Sequence, residues 1–121
     1  MKLNVGDYVR TKNKAPFEPS QIAKITDIKK DEGYKNQYFI TLDHNLPTTY
    51  DFHIYSEDVI KSSPNIIDLI KVGDYVNGEC VINVDSIEVY TRDGMYLNED
   101  IKSVVTKESM ESVTYYVKWN L

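Results

Sequence analysis

Two histidines and two aspartates lie close together in the middle of the chain, and side chains of these types can bind a metal ion. They are Asp43, His44, Asp51 and His53. Zinc ligands usually follow short, regular spacings that bring the side chains around one ion. The spacing here matches no established ligand motif, and Pro47-Thr48-Thr49 between the two pairs is typical of a loop. We therefore expect these residues on the surface of a hairpin, with no metal site.

Cys80 is the only cysteine in the chain, so no internal disulfide can form. A catalytic thiol needs a neighbouring histidine base, and no motif places either histidine beside Cys80. Because it falls in a strand-like run, we expect Cys80 to be a small buried apolar group.

The chain lacks the other common catalytic motifs. There is no glycine-rich phosphate loop, no Gly-x-Ser-x-Gly elbow and no catalytic pair of carboxylates. The acidic pairs Glu57-Asp58 and Glu99-Asp100 are duplicated, which favours a structural role before the last strand of each repeat. We expect a protein that is not an enzyme, with no catalytic residue and no cofactor.

Tyrosine is abundant, with 10 residues against three phenylalanines and one tryptophan. Tyrosine combines a large flat surface with a polar tip and is enriched in protein interfaces. The codon usage of an AT-rich genome is the alternative explanation, since lysine, asparagine and isoleucine are frequent too. If the tyrosines serve a binding surface, the candidate partner-binding residues are Phe17, Tyr34, Tyr38, Tyr50, His53, Tyr55, Tyr90 and Tyr96.

Phe17 lies in a segment, 13–20, that lengthens the first hairpin relative to its counterpart later in the chain. Such loops often carry specificity in small β modules, and a phenylalanine between two prolines can act as an exposed anchor. A tolerated insertion packed against the barrel is the other interpretation.

An internal repeat determines the predicted architecture. Val-Gly-Asp-Tyr-Val occurs at 5–9 and again at 72–76. Glu-Asp-Val-Ile-Lys-Ser at 57–62 returns as Glu-Asp-Ile-Lys-Ser at 99–103, in the same order within each half. Two ordered matches indicate a duplication.

Each repeat is expected to contain several short strands. Runs of strand-forming residues occur at 22–28, 38–42 and 52–55, and again at 80–84, 87–91 and 95–97, with hairpin turns at 31–33 and 92–94. Five short strands, a helical turn before the last, and an opening Val-Gly-Asp resemble an SH3-like barrel. The predicted fold class is mainly β, with two tandem SH3-like small barrels and short helical turns.

The domain organisation follows from the repeat. Residues 1–62 form the first SH3-like module, 63–71 an apolar connector packed between the modules, and 72–121 the second module. We expect Thr106 to cap a short C-terminal helix, and residues 113–119 alternate as a final strand.

Charge and hydropathy limit the function and location. The 121 residues carry a formal net charge of −5, which argues against general binding to a phosphate backbone. No stretch approaches the roughly 20 apolar residues of a membrane span. We expect a cytoplasmic protein without a membrane partner.

Three sequence segments resemble those of a known protein family: "VGDYVRTK", "KSSPNIIDLIKVGDYVNG" and "EDIKSVVTKESME". They resemble a recurrent family of small proteins from phages and mobile elements of Gram-positive bacteria. The resemblance covers both repeats and the tail helix, but not 13–20 or 43–53. It implies a genetic context among genes that counter host defence, where anti-CRISPR proteins are small, acidic and non-enzymatic.

The expected function is binding and inhibition of a host defence component, such as a CRISPR nuclease, by occupying its nucleic-acid-binding surface. One alternative is a nucleic-acid-binding module, whose basic face would be formed by Lys12, Lys14, Lys24, Lys29, Lys30 and Lys35. Another is a sponge for a nucleotide signal, bound between modules or subunits in a pocket with aromatic walls and a few convergent arginine or lysine groups. Arg10 and Arg92 are the only arginines.

Overall fold

The structure is a computed structural model, and it describes residues 2–14, 18–31, 33, 37–45 and 49–111. The chain is mainly β. Its strands are β1 (Tyr8–Thr11), β2 (Ile22–Asp31), β3 (Gln37–Asn45), β4 (Thr49–Tyr55), β5 (Val59–Ser63), β6 (Tyr75–Val76), β7 (Glu79–Val84), β8 (Val89–Thr91), β9 (Met95–Tyr96) and β10 (Val104–Val105).

Two antiparallel sheets of five strands have the same internal order. The first sheet runs β4-β3-β2-β1-β5 and the second β10-β6-β7-β8-β9, so in each the fifth strand pairs with the first. A 3₁₀ turn precedes that fifth strand in both sheets, at Ser56–Asp58 and at Asn98–Asp100. The prediction of two tandem SH3-like small barrels with short helical turns is confirmed.

The Val-Gly-Asp motif forms the same turn in both repeats. Gly6 has φ +94° and Gly73 φ +96°, a region that residues with a side chain rarely adopt. Each glycine N–H donates to the second strand of its own sheet, Gly6 to the Ile25 carbonyl and Gly73 to the Val81 carbonyl, both at 2.9 Å. The repeated sequence therefore encodes a repeated backbone geometry.

The first hairpin differs between the sheets, as the sequence predicted. Residues 12–21 connect β1 to β2, whereas Asn77 and Gly78 alone connect β6 to β7. Both of these residues have positive φ, 52° and 81°, which is the geometry of a tight type I′ turn. A bridge between Lys14 and Glu18 narrows the longer connection. Phe17 lies outside the described residues.

Two hydrophobic clusters form the core. The first lies inside the first sheet and contains Val9, Ala23, Ile25, Ile40, Leu42 and Val59. The second contains Ile67, Leu69, Ile70, Val76, Val81, Val89 and Val104, together with Ile22 of β2. Ile22 lies on the opposite face of the first sheet from Ala23, and Tyr8 packs against the second cluster too. The second sheet and residues 66–70 therefore pack on the outside of β1 and β2. The domain boundaries 1–62, 63–71 and 72–121 stay predictions.

A buried ion cluster joins the two repeats beside this apolar contact. Arg10 is 2% exposed and Asp74 is fully buried. The guanidinium Nη1 donates to Asp74 Oδ2 at 2.7 Å and to the Leu69 carbonyl at 3.0 Å, while Nη2 donates to Glu108 Oε2 at 2.9 Å. Burial opposes the charged guanidinium, but hydrogen bonds and the charges of Asp74 and Glu108 outweigh it and raise the pKa of Arg10.

Several local predictions can be compared with the structure. A short helix spans 107–111, and the Ser109 N–H donates to Thr106 Oγ1 at 3.1 Å, so the predicted cap is confirmed. The hairpin turn at 92–94 is confirmed between β8 and β9. The expectation of a buried Cys80 is wrong, because its side chain is exposed. The predicted strand at 113–119 lies outside the described residues.

Among the described residues, no helix is long and apolar enough to cross a membrane.

Candidate binding cleft

An aromatic cluster lies on the outer face of the first sheet, at the ends of β3 and β4. Phe39 pairs with Tyr55 across the strands, and Thr41 pairs with His53. The Phe39 and His53 rings are stacked with centroids 4.7 Å apart, and Phe39 meets Tyr55 edge to face at 5.7 Å. His53 is exposed and the other two rings are half-buried, so the cluster presents an aromatic surface on a rigid sheet.

A cleft of about 470 Å³ lies between the end of β4 and the long 12–21 connection. β4 is an edge strand of the first sheet, and the cleft runs along its last residues. We name it the loop–β4 cleft. Its lining residues are Thr11, Lys12, Lys14, Glu18, Pro19, Gln21, His53, Ile54, Tyr55 and Asp58.

The polar groups of the loop–β4 cleft are unevenly satisfied. Lys14 Nζ donates to Asp58 Oδ1 at 2.9 Å, an exposed ion pair that raises the lysine pKa. Gln21 differs, because its buried Oε1 has no hydrogen-bond partner among the described residues. A buried amide oxygen without a donor costs free energy, so it favours a ligand or an ordered water that donates to it. The cleft therefore combines aromatic side chains, charged residues and one buried acceptor without a partner.

The structure separates the candidate residues of the first repeat. His53 and Tyr55 lie together at the loop–β4 cleft. Tyr38 is 45% exposed, but it lies two residues before the buried Ile40 and so shares its face of β3, opposite to the aromatic cluster. Tyr50 lies in β4, but its side chain is outside the description. Phe17 and Tyr34 are outside the described residues altogether. Phe39 was missed as a candidate, although strand alternation places it beside Tyr55.

The two candidates of the second repeat have different surroundings. The Tyr96 ring packs against the second core cluster and its hydroxyl donates to Glu79 Oε2. Tyr90 pairs with Met95, which is 60% exposed, on the outer face of the second sheet. The Tyr90 hydroxyl donates to Asp85 Oδ2 at 3.1 Å. Neither hydroxyl is free, so each tyrosine has a local structural role beside any binding role.

The Tyr90 hydroxyl is expected to remain protonated far into alkaline solution. The neighbouring carboxylates of Glu88 and Asp85 raise its pKa to about 12, because ionisation would place a third negative charge beside two carboxylates. Replacing Glu88 with glutamine should lower the Tyr90 pKa toward that of a free tyrosine. NMR titration of the Tyr90 ring carbons in both proteins measures this, and an unchanged midpoint would contradict the assignment.

No cluster of metal-binding side chains is found in the described part of the chain. No group of three or more histidine, cysteine or acidic side chains gathers there. The ring of His53 bonds Thr41 Oγ1 through Nδ1, at 3.2 Å, and stacks on Phe39. The side chains of His44 and Asp51 lie outside the description, so the absence of a metal site stays a prediction.

The lysines proposed for a nucleic-acid face are spread over several surfaces. Lys12 and Lys14 line the loop–β4 cleft, and Lys14 is paired with Asp58. Lys24 lies near the second repeat, while Lys29 and Lys30 are at the far end of β2 on opposite faces of the strand. Lys35 is not described. Binding to a phosphate backbone needs clustered cations, so this arrangement does not favour that alternative.

Comparison with known proteins gives no relative. The chain matches no protein-family model, no curated protein and no solved structure. The function must therefore be inferred from the surfaces themselves.

Proposed function

We propose that this chain is a non-enzymatic binding protein that captures a partner protein at the loop–β4 cleft and acts by occupying the partner's surface. The observation that carries the proposal is the aromatic cluster of Phe39, His53 and Tyr55 next to a cleft with an unsatisfied buried acceptor, Gln21 Oε1. Aromatic anchors around such a cleft are typical of binding hot spots.

The shape of the cleft favours an extended segment of the partner. β4 is an edge strand, and an edge strand can accept a further strand through its backbone. The fixed sheet costs little conformational entropy on binding, because its strands are already ordered by the core.

Charge favours a basic partner surface. The chain carries a formal net charge of −5; at the cleft Glu18 and Asp58 are balanced by Lys12 and Lys14, so the excess negative charge belongs to the chain as a whole. Proteins that bind nucleic acid carry basic channels, and carboxylates can replace phosphate contacts there. Together with the resemblance to phage and mobile-element proteins, this supports a host defence nuclease, such as a CRISPR effector, as the partner. The cytoplasm of the bacterial host is the corresponding location.

The proposal is tested by capturing partners of the tagged protein from host lysate, with and without nuclease treatment. We expect a nucleic-acid-binding protein that is retained after the treatment, and the purified chain should then displace nucleic acid from it. An interface burying more than about 1,200 Å² is expected for a stable complex. Retention that disappears with the nuclease, or a captured protein that keeps its nucleic acid, would overturn the proposal.

A further inference from the structure

A second cleft, of about 260 Å³, opens between the two repeats. We name it the inter-repeat cleft. Its apolar wall is formed by Tyr8 of β1, Ile66 of the connecting 3₁₀ turn and Ile101. Its volume lies below the range of about 300–1,000 Å³ that is usual for drug-sized ligands, so it fits a small metabolite.

One end of the inter-repeat cleft carries an unsatisfied negative group. Asp43 lines the cleft, and its buried Oδ1 has no hydrogen-bond partner in the described part of the protein. Lys24 is directly across the strands from Asp43, yet no ion pair within 4.0 Å joins the two. Asp43 forms no ion pair among the described residues, and the ammonium group of a ligand in the cleft would supply the missing positive charge.

Two cations flank the same cleft. Lys24 comes from the first repeat and Lys102 from the second, and both are exposed. Neither forms an ion pair among the described residues, so both ammonium groups are available to an anion. The cleft therefore presents a negative group, two positive groups and an apolar wall within one small volume.

We propose that the inter-repeat cleft binds a small zwitterion with an apolar body, of the kind represented by a free amino acid. The ligand's ammonium group donates to Asp43, its carboxylate lies toward Lys24 and Lys102, and its side chain packs on Tyr8 and Ile66. This site is separate from the loop–β4 cleft and does not depend on the proposed capture of a protein.

The test uses L-phenylalanine as the probe, with calorimetry for affinity and ¹⁵N NMR for location. N-acetyl-L-phenylalanine lacks the ammonium and L-phenylalaninamide lacks the carboxylate, so each should bind at least about tenfold more weakly. We expect shifts of the amides of residues 24, 43 and 102 on titration. Asp43→Asn and Lys102→Ala should each weaken binding about tenfold, whereas the control Lys29→Ala should not.

The NMR spectra of the variants also show whether they keep the fold. If L-phenylalanine shifts none of these amides at millimolar concentration, the cleft is filled by water and the proposal is wrong. Equal binding of the N-acetyl compound, or of inorganic phosphate, would instead indicate a simple anion site and would overturn the proposal of a zwitterionic ligand.

Discussion

Replacing Asp74 with alanine is expected to lower the free energy of unfolding by about 3–5 kcal/mol, because the change leaves a buried guanidinium without its main partner. The two carboxylate oxygens of Asp74 accept four hydrogen bonds. Two come from Arg10, at 2.7 and 3.2 Å, and two from the backbone N–H groups of Lys71 and Lys107, at 2.8 and 2.9 Å. Urea denaturation followed by circular dichroism measures the loss.

The first repeat supplies a matched control. Asp7 occupies the same place in its Val-Gly-Asp turn, but its side chain is only half-buried and accepts, among the described residues, one long hydrogen bond from Asn4 at 3.4 Å. Asp7→Ala should therefore cost less than about 1 kcal/mol. Equal losses for the two variants would contradict the assignment of Asp74 as the inter-repeat anchor.

A double-mutant cycle isolates the ion pair from the rest of the turn. Arg10→Met alone leaves Asp74 buried with only its backbone donors, and Asp74→Ala alone leaves Arg10 with Glu108 and the Leu69 carbonyl. The double variant should be more stable than the sum of the single losses predicts, by about 0.5–3 kcal/mol. Strict additivity would mean that the pair contributes nothing specific.

Leu69→Ala is the second change expected to have a large effect, about 2–5 kcal/mol. Leu69 is 1% exposed and belongs to the core cluster that joins the connecting segment, the second sheet and Ile22 of the first. Removing it leaves a cavity in the contact between the repeats. We expect both sheets to lose structure in one transition at a lower urea concentration, as followed by NMR signals from Ile40 and Val89.

Val72→Ala is the control for Leu69→Ala, because Val72 is 61% exposed and only three residues away. It should change the free energy of unfolding by less than about 0.5 kcal/mol. Separate unfolding transitions for Ile40 and Val89 in the wild-type protein would show that the repeats fold independently, contrary to the shared core.

The sequence contained enough information to predict the architecture because the two repeats share their turn chemistry. Gly6 and Gly73 have the same positive-φ backbone conformation. The acidic pairs mark the 3₁₀ turn before the last strand of each sheet. The longer connection at 12–21 could be predicted too, since its counterpart is an Asn-Gly turn. All of these signals are local.

What the sequence did not predict depends on contacts between distant residues. Asp7 and Asp74 lie in identical pentapeptides, yet Asp74 alone is buried, because Arg10 from the other repeat meets it. Cys80 was assigned to the interior because the run 80–84 is mostly apolar and does not show which face is buried. In β7 the buried side chain is Val81, so its neighbour Cys80 lies on the outer face and is exposed.

The candidate site was only partly predictable for a related reason. Tyrosine abundance identified Tyr38 and Tyr55 together, but alternation along β3 and β4 places them on opposite faces of the sheet. Gln21 Oε1 has no local sequence signal, because its lack of a partner is a property of the folded cleft.

The central claim, capture of a protein partner at the loop–β4 cleft, is tested most directly by parallel capture with two variants. His53→Ala/Tyr55→Ala removes the aromatic side of the cleft, and Ile87→Ser changes a residue that is 63% exposed in the second repeat. The wild-type protein and Ile87→Ser should retain the same nuclease-resistant partner, while the double variant, folded by its NMR spectrum, should lose it by at least about tenfold in affinity. Equal retention by all three proteins would contradict the claim.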